Sequence, residues 1–197
     1  MRTLSVVIPC FNEQAVISTT HQRMIEVLKD LKSFRHEIIY VNDGSRDQTL
    51  SILQKTAETE KNVKIISFSR NFGHQIAISA GLDHAAGDLV VVIDADLQDP
   101  PELIPRMIEE IDNGNDIVYG RRQKRAGESR FKIFTAKAFY RIINRLSDVE
   151  IPLDTGDFRM MNRAALNHFL SMRESYRFVR GMVAWIGFRQ TYIEYNR

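Results

Sequence analysis

The sequence predicts an α/β fold in which a mostly parallel central sheet is flanked by helices. Two patterns support this prediction. Short apolar runs alternate with helical patterns over the first 120 residues. The runs are apolar throughout rather than at every second position, which is typical of strands buried on both faces. With 197 residues, the chain is long enough for one domain with a full hydrophobic core.

Strands and helices are predicted in regular alternation along this part of the chain. The predicted strands are TLSVVIP, EIIYV, VKIISFS, DLVVVID and DIVYG. The predicted helices between them cover residues 13–31, 48–60, 73–86 and 101–113, and the last of these has a proline at its start.

The pattern changes after the fifth strand. Residues 123–129 are polar and basic, residues 130–146 show a helical pattern, and residues 151–157 are predicted to be irregular. Helical patterns over 163–172 and 176–185 then lead to a final strand, QTYIEY. We interpret this second part of the chain as a lid or an acceptor region.

Composition and charge exclude several classes of protein. The chain has 27 basic and 25 acidic residues, so its net charge of +2 gives no overall field that favours nucleic acid as a partner. The single cysteine, Cys10, cannot form an internal disulfide, which favours a reducing compartment, and we expect it to be a small core residue. No signal-peptide pattern is visible, and the longest apolar run is about five residues, against about 20 for a membrane helix. We therefore expect a chain that starts in the cytoplasm and does not itself span a bilayer.

Polar motifs follow each of the first five strands. They read PCFNE, NDGSRD, SRNFGH, DADLQD and GRR. In open parallel sheets, ligands bind beyond the carboxyl ends of the strands, so these motifs predict one site at that edge. Ordinary solvated loops are the alternative interpretation, but five such motifs in succession are hard to explain in this way.

The fourth motif has the chemistry of a cation site. Alternate residues of an extended segment face the same side, so the oxygen-bearing side chains of Asp94, Asp96 and Gln98 can converge. Oxygen ligands are preferred by Mg²⁺ and Mn²⁺. The alternative is that Asp94 caps the strand end and residues 96–99 cap the helix at Pro101. In the second motif, Asp43 can accept hydrogen bonds from a base or ribose, although Asn-Asp-Gly-Ser is also ordinary turn chemistry.

Five motifs together resemble a known family. SVVIPCFNE, VNDGSRDQT, RNFGHQIAISAGLDHAAGD, DADLQDPPE and TGDFRMMNR are similar to the family-two GT-A glycosyltransferases, specifically the polyprenyl-phosphate group that includes dolichyl-phosphate mannose synthases and undecaprenyl-phosphate glucosyltransferases. The resemblance covers essentially the whole chain. It implies one GT-A catalytic domain over residues 1–197, with a nucleotide-binding half (1–120) and an acceptor-side half (121–197). It also implies a C-terminal membrane region beyond this chain.

The resemblance further implies roles for individual residues. The donor would be bound by Pro9, Asn12, Glu13, Asp43, Arg70, Gly73, Asp94, Ala95 and Asp96. Mg²⁺ or Mn²⁺ would be held by Asp94, Asp96 and Gln98, and catalysis would use Asp96, Arg122 and Asp157. The acceptor phosphate would meet the cations Arg122, Arg130, Lys132 and Arg159. Residues 121–132 carry six positive charges, of which Lys124 and Arg125 are interpreted as solvated.

The implied reaction is inverting transfer of a sugar from a nucleotide-sugar, UDP-glucose-like by family likeness, to polyprenyl phosphate. It would take place at the cytoplasmic face of the cell membrane, to which the full-length protein would be anchored. A phosphate monoester has its second pKa near 6 and is already nucleophilic at neutral pH. We therefore expect Asp157 to orient the acceptor or Arg159, or to stabilise the charge of the developing oxocarbenium-like centre, rather than to act as a base. Among the histidines, only His74 lies near the donor loops.

Two other functions stay open. One is a soluble family-two glycosyltransferase with a saccharide or protein acceptor, which would need a true base. The other is a non-catalytic nucleotide-sugar-binding module, against which the intact Asp94, Asp96 and Gln98 set argues. No nucleic-acid partner is expected, and homo-oligomer formation is left open.

Overall fold

The computed structural model describes residues 1–123, 155–172, 174 and 177–196. Within these ranges seven strands form one sheet. The strands are β1 (Arg2–Cys10), β2 (Phe34–Asn42), β3 (Val63–Ser67), β4 (Leu89–Val92), β5 (Ile117–Arg122), β6 (Thr155–Asn162) and β7 (Gln190–Tyr195). The helices are α1 (Ile17–Asp30), α2 (Thr49–Thr59), α3 (His74–His84), α4 (Ile104–Asp112), α5 (Arg163–Ser171) and α6 (Val179–Trp185), and a 3₁₀ turn (Pro101–Leu103) precedes α4.

The sheet is mostly parallel, as predicted. Its strand order is β3-β2-β1-β4-β6-β5-β7. Strands β1 to β4 run parallel, β6 is antiparallel to its neighbours β4 and β5, and β7 pairs parallel with β5. The carboxyl ends of the parallel strands therefore lie along one edge of the sheet, where α/β folds bind their ligands.

Strand β6 departs from the sequence-based prediction. Residues 151–157 are predicted to be irregular, but the strand begins at Thr155. Its sequence, TGDFRMMN, lacks a continuous apolar run because it carries two charged residues, Asp157 and Arg159. Both are buried, with 3% and 1% of their surface exposed, and they pair with each other. Because its charges are neutralised inside the fold, this strand cannot be recognised from an apolar pattern.

Other boundaries differ less. Helix α1 begins at Ile17 rather than at residue 13, and α6 begins at Val179 rather than at residue 176. The predicted helix over residues 130–146 lies outside the described residues. In the described ranges, no helix combines the length and apolar character needed to cross a bilayer.

Apolar side chains fill both sides of the sheet. Alternate residues of one strand point to opposite faces, so Val6 and Val7 pack into different layers. Helices α1, α2 and α4 cover the first layer, for example with Met24, and α3, α5 and α6 cover the second, for example with Leu82 and Phe169. Full burial of side chains of this size contributes about 1.5–3 kcal/mol each, so these layers hold the sheet while its edge carries polar groups.

One glycine brings two loops together at the carboxyl edge. Gly44, which follows β2, has a φ of +66°, a conformation that favours glycine. A Cβ atom at this position would lie 2.3 Å from the carbonyl carbon of Arg70. The loops after β2 and β3 therefore approach to a distance that only glycine permits.

Candidate active site

Two cavities share a wall at the carboxyl edge of the sheet. The first has a volume of about 320 Å³ and is lined by Pro9, Cys10, Phe11, Glu13, Asp43, Asn71, Gly73, His74, Ala77, Asp94, Ala95 and Asp96. The second has a volume of about 330 Å³ and is lined by Asp94, Asp96, Gln98, Arg122, Gly156, Asp157 and Arg180. Asp94 and Asp96 belong to both linings, so this pair of carboxylates lies between the cavities.

The first cavity gathers most of the residues predicted to bind a donor. It is lined by Pro9, Glu13, Asp43, Gly73, Asp94, Ala95 and Asp96. The other two predicted residues are not in its lining. The Asn12 side chain accepts a hydrogen bond from the backbone N–H of Arg46 at 2.9 Å. The Arg70 guanidinium lies 4.0 Å from the centre of the Phe72 ring. Donor contacts of Asn12 and Arg70 stay predictions.

Cys10 is a buried core residue, as predicted, with 2% of its surface exposed. Its thiol donates to the carbonyl oxygen of Ile8 at 3.3 Å. Burial raises the pKa of the thiol well above its ordinary value, so it is not a reactive thiolate at neutral pH. It forms part of the floor of the first cavity.

Asp43 holds the loop after β3 in place. Its two carboxylate oxygens accept hydrogen bonds from the backbone N–H groups of Phe72 and Gly73, at 2.7 and 2.9 Å. The side chain is buried, with 3% of the residue exposed, yet it lines the first cavity. Gly73 has a φ of +105°, which permits this approach of the loop. The contact of Asp43 with a nucleotide base stays a prediction, and the same carboxylate also shapes the loop.

The acidic turn, residues 94–99, forms the wall between the cavities. Strand β4 ends at Val92, and Leu97 has a φ of +61°, in the left-handed region. The expectation that an extended backbone aligns alternate side chains is therefore wrong. The three predicted metal ligands nevertheless all line the second cavity: Asp94, Asp96 and Gln98.

Hydrogen bonds from two directions hold the acidic turn. The backbone N–H of Gln98 donates to Asp96 Oδ1 at 3.0 Å. The buried hydroxyl of Thr20, on α1, donates to the carbonyl oxygen of Ala95 at 2.6 Å. Within the described part of the chain, no side chain caps the 3₁₀ turn or α4, so the interpretation of residues 96–99 as helix caps is wrong.

Asp94 is a partly buried carboxylate with an incomplete set of partners. Its Oδ1 atom is buried and makes no hydrogen bond with any residue that the structure describes. The Nε2 atom of His74 lies 3.4 Å from it, which is an ion-pair distance without hydrogen-bond geometry. Burial, together with the nearby charges of Asp99, Asp157 and Asp96, raises the pKa of Asp94 to about 6. The site therefore holds more negative charge than its own cations neutralise.

These residues fit a divalent cation. A buried carboxylate oxygen without a partner is costly unless a positive group approaches it. Within the described residues, no three His, Cys, Asp or Glu side chains form a ready-made metal cluster. An ion would therefore be held by Asp94 and Asp96, by the amide oxygen of Gln98, and by oxygens from a ligand. This incomplete set is typical of Mg²⁺, which keeps positions for phosphate oxygens.

Asp157 accepts hydrogen bonds from several cationic groups. Arg180 reaches it with two nitrogens, at 3.0 and 2.9 Å, and Arg159 Nη2 donates to Oδ1 at 3.0 Å. His74 Nε2 lies 3.1 Å from Oδ2. Burial opposes ionisation, but the contacts with His74, Arg180 and Arg159 hold the pKa of Asp157 far below its ordinary value. The same contact with Asp157 raises the pKa of His74.

A carboxylate in this setting is a poor general base. General bases work best when their pKa lies near the working pH, and the pKa of Asp157 is shifted in the opposite direction. The geometry instead makes Asp157 an anchor that joins β6 to α3 through His74 and to α6 through Arg180. Asp157 contacts Arg159, one of the groups it is expected to orient, and its role in the reaction stays a prediction.

Arg159 lies beneath the cavity wall rather than on it. Only 1% of the residue is exposed, and its side chain donates to the carbonyl oxygens of Asp157 and Gly156, both at 3.2 Å. It is absent from the described lining of both cavities. As placed, Arg159 supports Asp157 and does not reach a phosphate in the second cavity. The other two predicted phosphate ligands, Arg130 and Lys132, lie outside the described residues.

Three site residues are not predicted from the sequence. Arg180 lines the second cavity from the start of α6, in the sequence FVRG, which carries no recognisable motif. Asp99 and Tyr195 both contact Arg122, the predicted catalytic arginine at the end of β5. Asp99 is the last residue of the DADLQD motif, so its charge and position could have indicated a site residue. The sequence QTYIEY contains no motif that would indicate a role for Tyr195.

Comparisons with known proteins identify the family. The family model described as Glycosyl transferase family 2 matches residues 5–170. The "Uncharacterized glycosyltransferase YkcC" of Bacillus subtilis (strain 168) is 51% identical over 193 residues, which cover 98% of this chain and 59% of the relative. The "Bactoprenol glucosyl transferase" of Shigella phage SfV is 40% identical over 194 residues, which cover 98% of this chain and 63% of the relative. The chain thus spans about 60% of the length of these curated relatives.

A solved structure shares the fold. The mannosyltransferase PcManGT from Pyrobaculum calidifontis, in complex with GDP-Man and Mn²⁺, matches with a TM-score of 0.68 and 19% identity over 100% of this chain and 56% of that chain. At this identity the likeness concerns the fold alone, which is the GT-A fold that the motifs predict. The match of the family model over residues 5–170 shows that the chain belongs to glycosyl transferase family 2.

Proposed function

We propose that the protein transfers a sugar from a nucleotide-sugar to polyprenyl phosphate, with inversion at the anomeric carbon. The observation that carries this proposal is the position of Asp94 and Asp96 between two cavities of similar volume. One cavity is formed mainly by the loops after β1 to β4, as a nucleotide-sugar site requires. The other combines the same carboxylates with the cations Arg122 and Arg180, as a phosphate acceptor requires. Both reactants would meet at one wall.

The first cavity suits the donor. Asp43 and Gly73 shape one side of it, and Pro9, Cys10 and Phe11 supply a less polar side. Asp94, Asp96 and Gln98 would hold Mg²⁺ or Mn²⁺. When bound, such an ion stabilises the negative charge that develops on a departing diphosphate. We favour a UDP-glucose-like donor because relatives at 40% identity are named as glucosyl transferases.

The second cavity suits an anionic acceptor. A phosphate monoester is largely a dianion at neutral pH, so it attacks without losing a proton. Its approach to an anionic donor is opposed by charge repulsion, which Arg122 and Arg180 would reduce. Asp157 keeps Arg180 in place through two hydrogen bonds. The acceptor chemistry therefore fits a site with well-placed cations, in which Asp157 is unsuited to act as a base.

This last point separates the proposal from the main alternative. A saccharide or protein hydroxyl must lose a proton when it attacks, and the pKa of Asp157 makes it unsuited to take that proton. A non-catalytic nucleotide-sugar-binding module would have no use for the arginines of the second cavity. Both alternatives stay testable by the destination of the sugar.

The cellular location follows from the proposed acceptor. A polyprenyl tail stays in the bilayer, so its phosphate is presented at the membrane surface. We propose that the protein acts at the cytoplasmic face of the cell membrane, with the full-length protein anchored there. The name of the phage relative, a bactoprenol glucosyl transferase, supports a lipid-linked acceptor.

The test is to follow labelled sugar. The full-length protein is incubated with radiolabelled UDP- and GDP-sugars, polyprenyl phosphate and Mn²⁺, and the label is partitioned between organic and aqueous phases. We expect label in the lipid fraction from one donor, and none when polyprenyl phosphate is omitted or when Asp96→Asn replaces the wild type. Label in a water-soluble glycan or protein instead would support the hydroxyl-acceptor alternative.

A further inference from the structure

Arg122 is held by two residues to which no role is otherwise given. Its Nε and Nη2 atoms donate to Asp99 Oδ1 at 3.2 and 2.8 Å, and Nε also donates to the Tyr195 hydroxyl at 3.1 Å. The Tyr195 hydroxyl in turn donates to the same oxygen of Asp99. Arg122, Asp99 and Tyr195 thus form a closed set of three contacts, which we call the arginine clamp.

The arginine clamp joins three separate parts of the fold. Arg122 is the last residue of β5, Tyr195 is the last residue of β7, and the two are register partners in the parallel pair. Asp99 ends the acidic turn that carries Asp94 and Asp96. Through the clamp, the acidic turn contacts Arg122, which lines the second cavity.

Burial makes the clamp rigid. The Asp99 side chain has no exposed surface, while 33% of the Arg122 side chain is exposed and lines the second cavity. A buried carboxylate is costly unless paired, so Asp99 keeps Arg122 in place. The Tyr195 ring packs edge-on against Phe158, with ring centres 6.2 Å apart, which fixes the direction of its hydroxyl.

The clamp leaves one edge of the guanidinium available. Nε and Nη2 are directed at Asp99 and Tyr195, and Nη1 donates to no described residue. Hydrogen bonds to charged groups are stronger than neutral ones and fix geometry as well as charge. An arginine held on one edge presents its other edge in one orientation, at a lower entropy cost than a mobile side chain.

We propose that Asp99 and Tyr195 are positioning residues that orient Arg122 toward the phosphate of the acceptor. This inference rests on the proposed function, because it names the acceptor as the ligand of the second cavity. Neither residue is in the described lining of the two cavities. Their effect is transmitted through Arg122 alone, and this makes the inference separable from a general structural role.

The test measures donor and acceptor kinetics separately in the full-length protein. Tyr195→Phe removes only the hydroxyl and keeps the ring against Phe158. We expect KM for a short isoprenyl phosphate acceptor to rise about tenfold, while KM for the nucleotide-sugar stays within about twofold. Asp99→Asn should act in the same direction. Tyr192→Phe is the matched control, since Tyr192 lies on the same strand but is 53% exposed, and it should leave both constants unchanged.

A double-mutant cycle then asks whether the effect passes through Arg122. In an Arg122→Ala background, Tyr195→Phe should cause no further loss of kcat/KM for the acceptor. Melting temperatures and nucleotide-sugar binding, measured on every variant, identify any that fail to fold. If the variants in the Arg122→Ala background fail to fold, the comparison of Tyr195→Phe with Tyr192→Phe in the wild-type background still tests whether the Tyr195 hydroxyl affects KM for the acceptor.

Two outcomes would contradict the inference in different ways. In the first, the wild type transfers sugar to the isoprenyl phosphate, but the losses of kcat/KM from Tyr195→Phe and Arg122→Ala are additive, or Tyr195→Phe raises KM for the nucleotide-sugar instead. The clamp is then structural, and the inference is overturned while the proposed function stands. If the wild type transfers no sugar to any isoprenyl phosphate, the proposed function is overturned and the inference falls with it.

Discussion

Asp94→Asn is expected to stabilise the protein in the absence of metal while ending its proposed activity. Burial and neighbouring carboxylates raise the pKa of Asp94 from 3.8 to about 6. In the unfolded chain the carboxyl recovers its ordinary pKa, so at neutral pH the folded state carries the cost of keeping this group ionised. The difference between the two pKa values corresponds to a loss of about 3 kcal/mol in the free energy of unfolding at neutral pH.

The net gain should be smaller than this loss. The Asp94 side chain keeps 27% exposure, which screens its charge, and asparagine leaves a polar amide in the same place. We therefore expect the free energy of unfolding to rise by about 1–2 kcal/mol at pH 7.5. The folded state binds the proton more tightly than the unfolded state, so the penalty is full above about pH 6 and absent below about pH 4. The advantage of the variant should disappear over that range as the pH falls.

The assay is urea denaturation with a chelator present, at pH 7.5 and pH 4. A higher midpoint for Asp94→Asn at pH 7.5 with an unchanged slope is the expected result. Asp30→Asn, at the exposed end of α1, is the control and should change stability by less than about 0.5 kcal/mol. With saturating Mn²⁺ and nucleotide, the wild type and Asp30→Asn should gain stability, and Asp94→Asn should not. A variant that is less stable than the wild type at pH 7.5 in chelator would refute the reasoning.

Three further predictions address separate parts of the fold. Asp157→Asn should lower kcat at least tenfold. It should also lower the free energy of unfolding at pH 7 by about 3–5 kcal/mol, because it leaves the buried Arg159 without its carboxylate. If the pH–rate profile of the variant loses its acid limb, Asp157 acts as a base and this reasoning is wrong. Since the pKa of Asp157 is depressed, its stabilising contribution is present above the unfolded pKa near 4 and is lost as the pH falls further. Gly44→Ala should destabilise by more than 1 kcal/mol, seen as a lower melting temperature, because of its positive φ and the 2.3 Å approach to Arg70. Glu37→Gln should cost about 1–2 kcal/mol through the lost ion pair with Lys64 at 2.6 Å, with kcat/KM unchanged because it lies away from both cavities.

The parts of the fold that follow from apolar patterning are predictable from the sequence. Strands β1, β2, β3, β4 and β5 and helices α1 to α4 lie close to their predicted places, because their side chains are sorted by simple burial. Strand β6 is missed because Asp157 and Arg159 neutralise each other only after the chain has folded. Asp157 also pairs with Arg180, which is distant in sequence, and no local pattern encodes that contact.

The candidate site shows the same division. The motif residues Asp94, Asp96 and Gln98 line one cavity, although through a turn with a left-handed Leu97 rather than through extended backbone, and their role as metal ligands stays a prediction. The residues that hold the motif are less visible: Tyr195 reaches Arg122 because of a strand register that is set by the sheet. Sequence motifs indicate which groups do the chemistry, whereas the groups that orient them are determined by tertiary packing.

Charge is distributed unevenly among the buried carboxylates, and this links stability to ligand binding. Three of them pair with cations of the fold: Asp157 with Arg159 and Arg180, Asp99 with Arg122 through one of its two oxygens, and Glu37 with Lys64. In the described part of the chain, the cation paired with Asp94 is His74, at 3.4 Å and without hydrogen-bond geometry. Burial and the neighbouring Asp96 raise the pKa of Glu13 as well. A cation bound there would remove a penalty that the folded protein otherwise bears. A ligand present at one hundred times its Kd raises the free energy of unfolding by about 2.7 kcal/mol. Relief of the cost of the buried, ionised Asp94 contributes to the affinity for a cation and so lowers its Kd. The residues that destabilise the empty site are therefore the same ones that make it select a positive ligand.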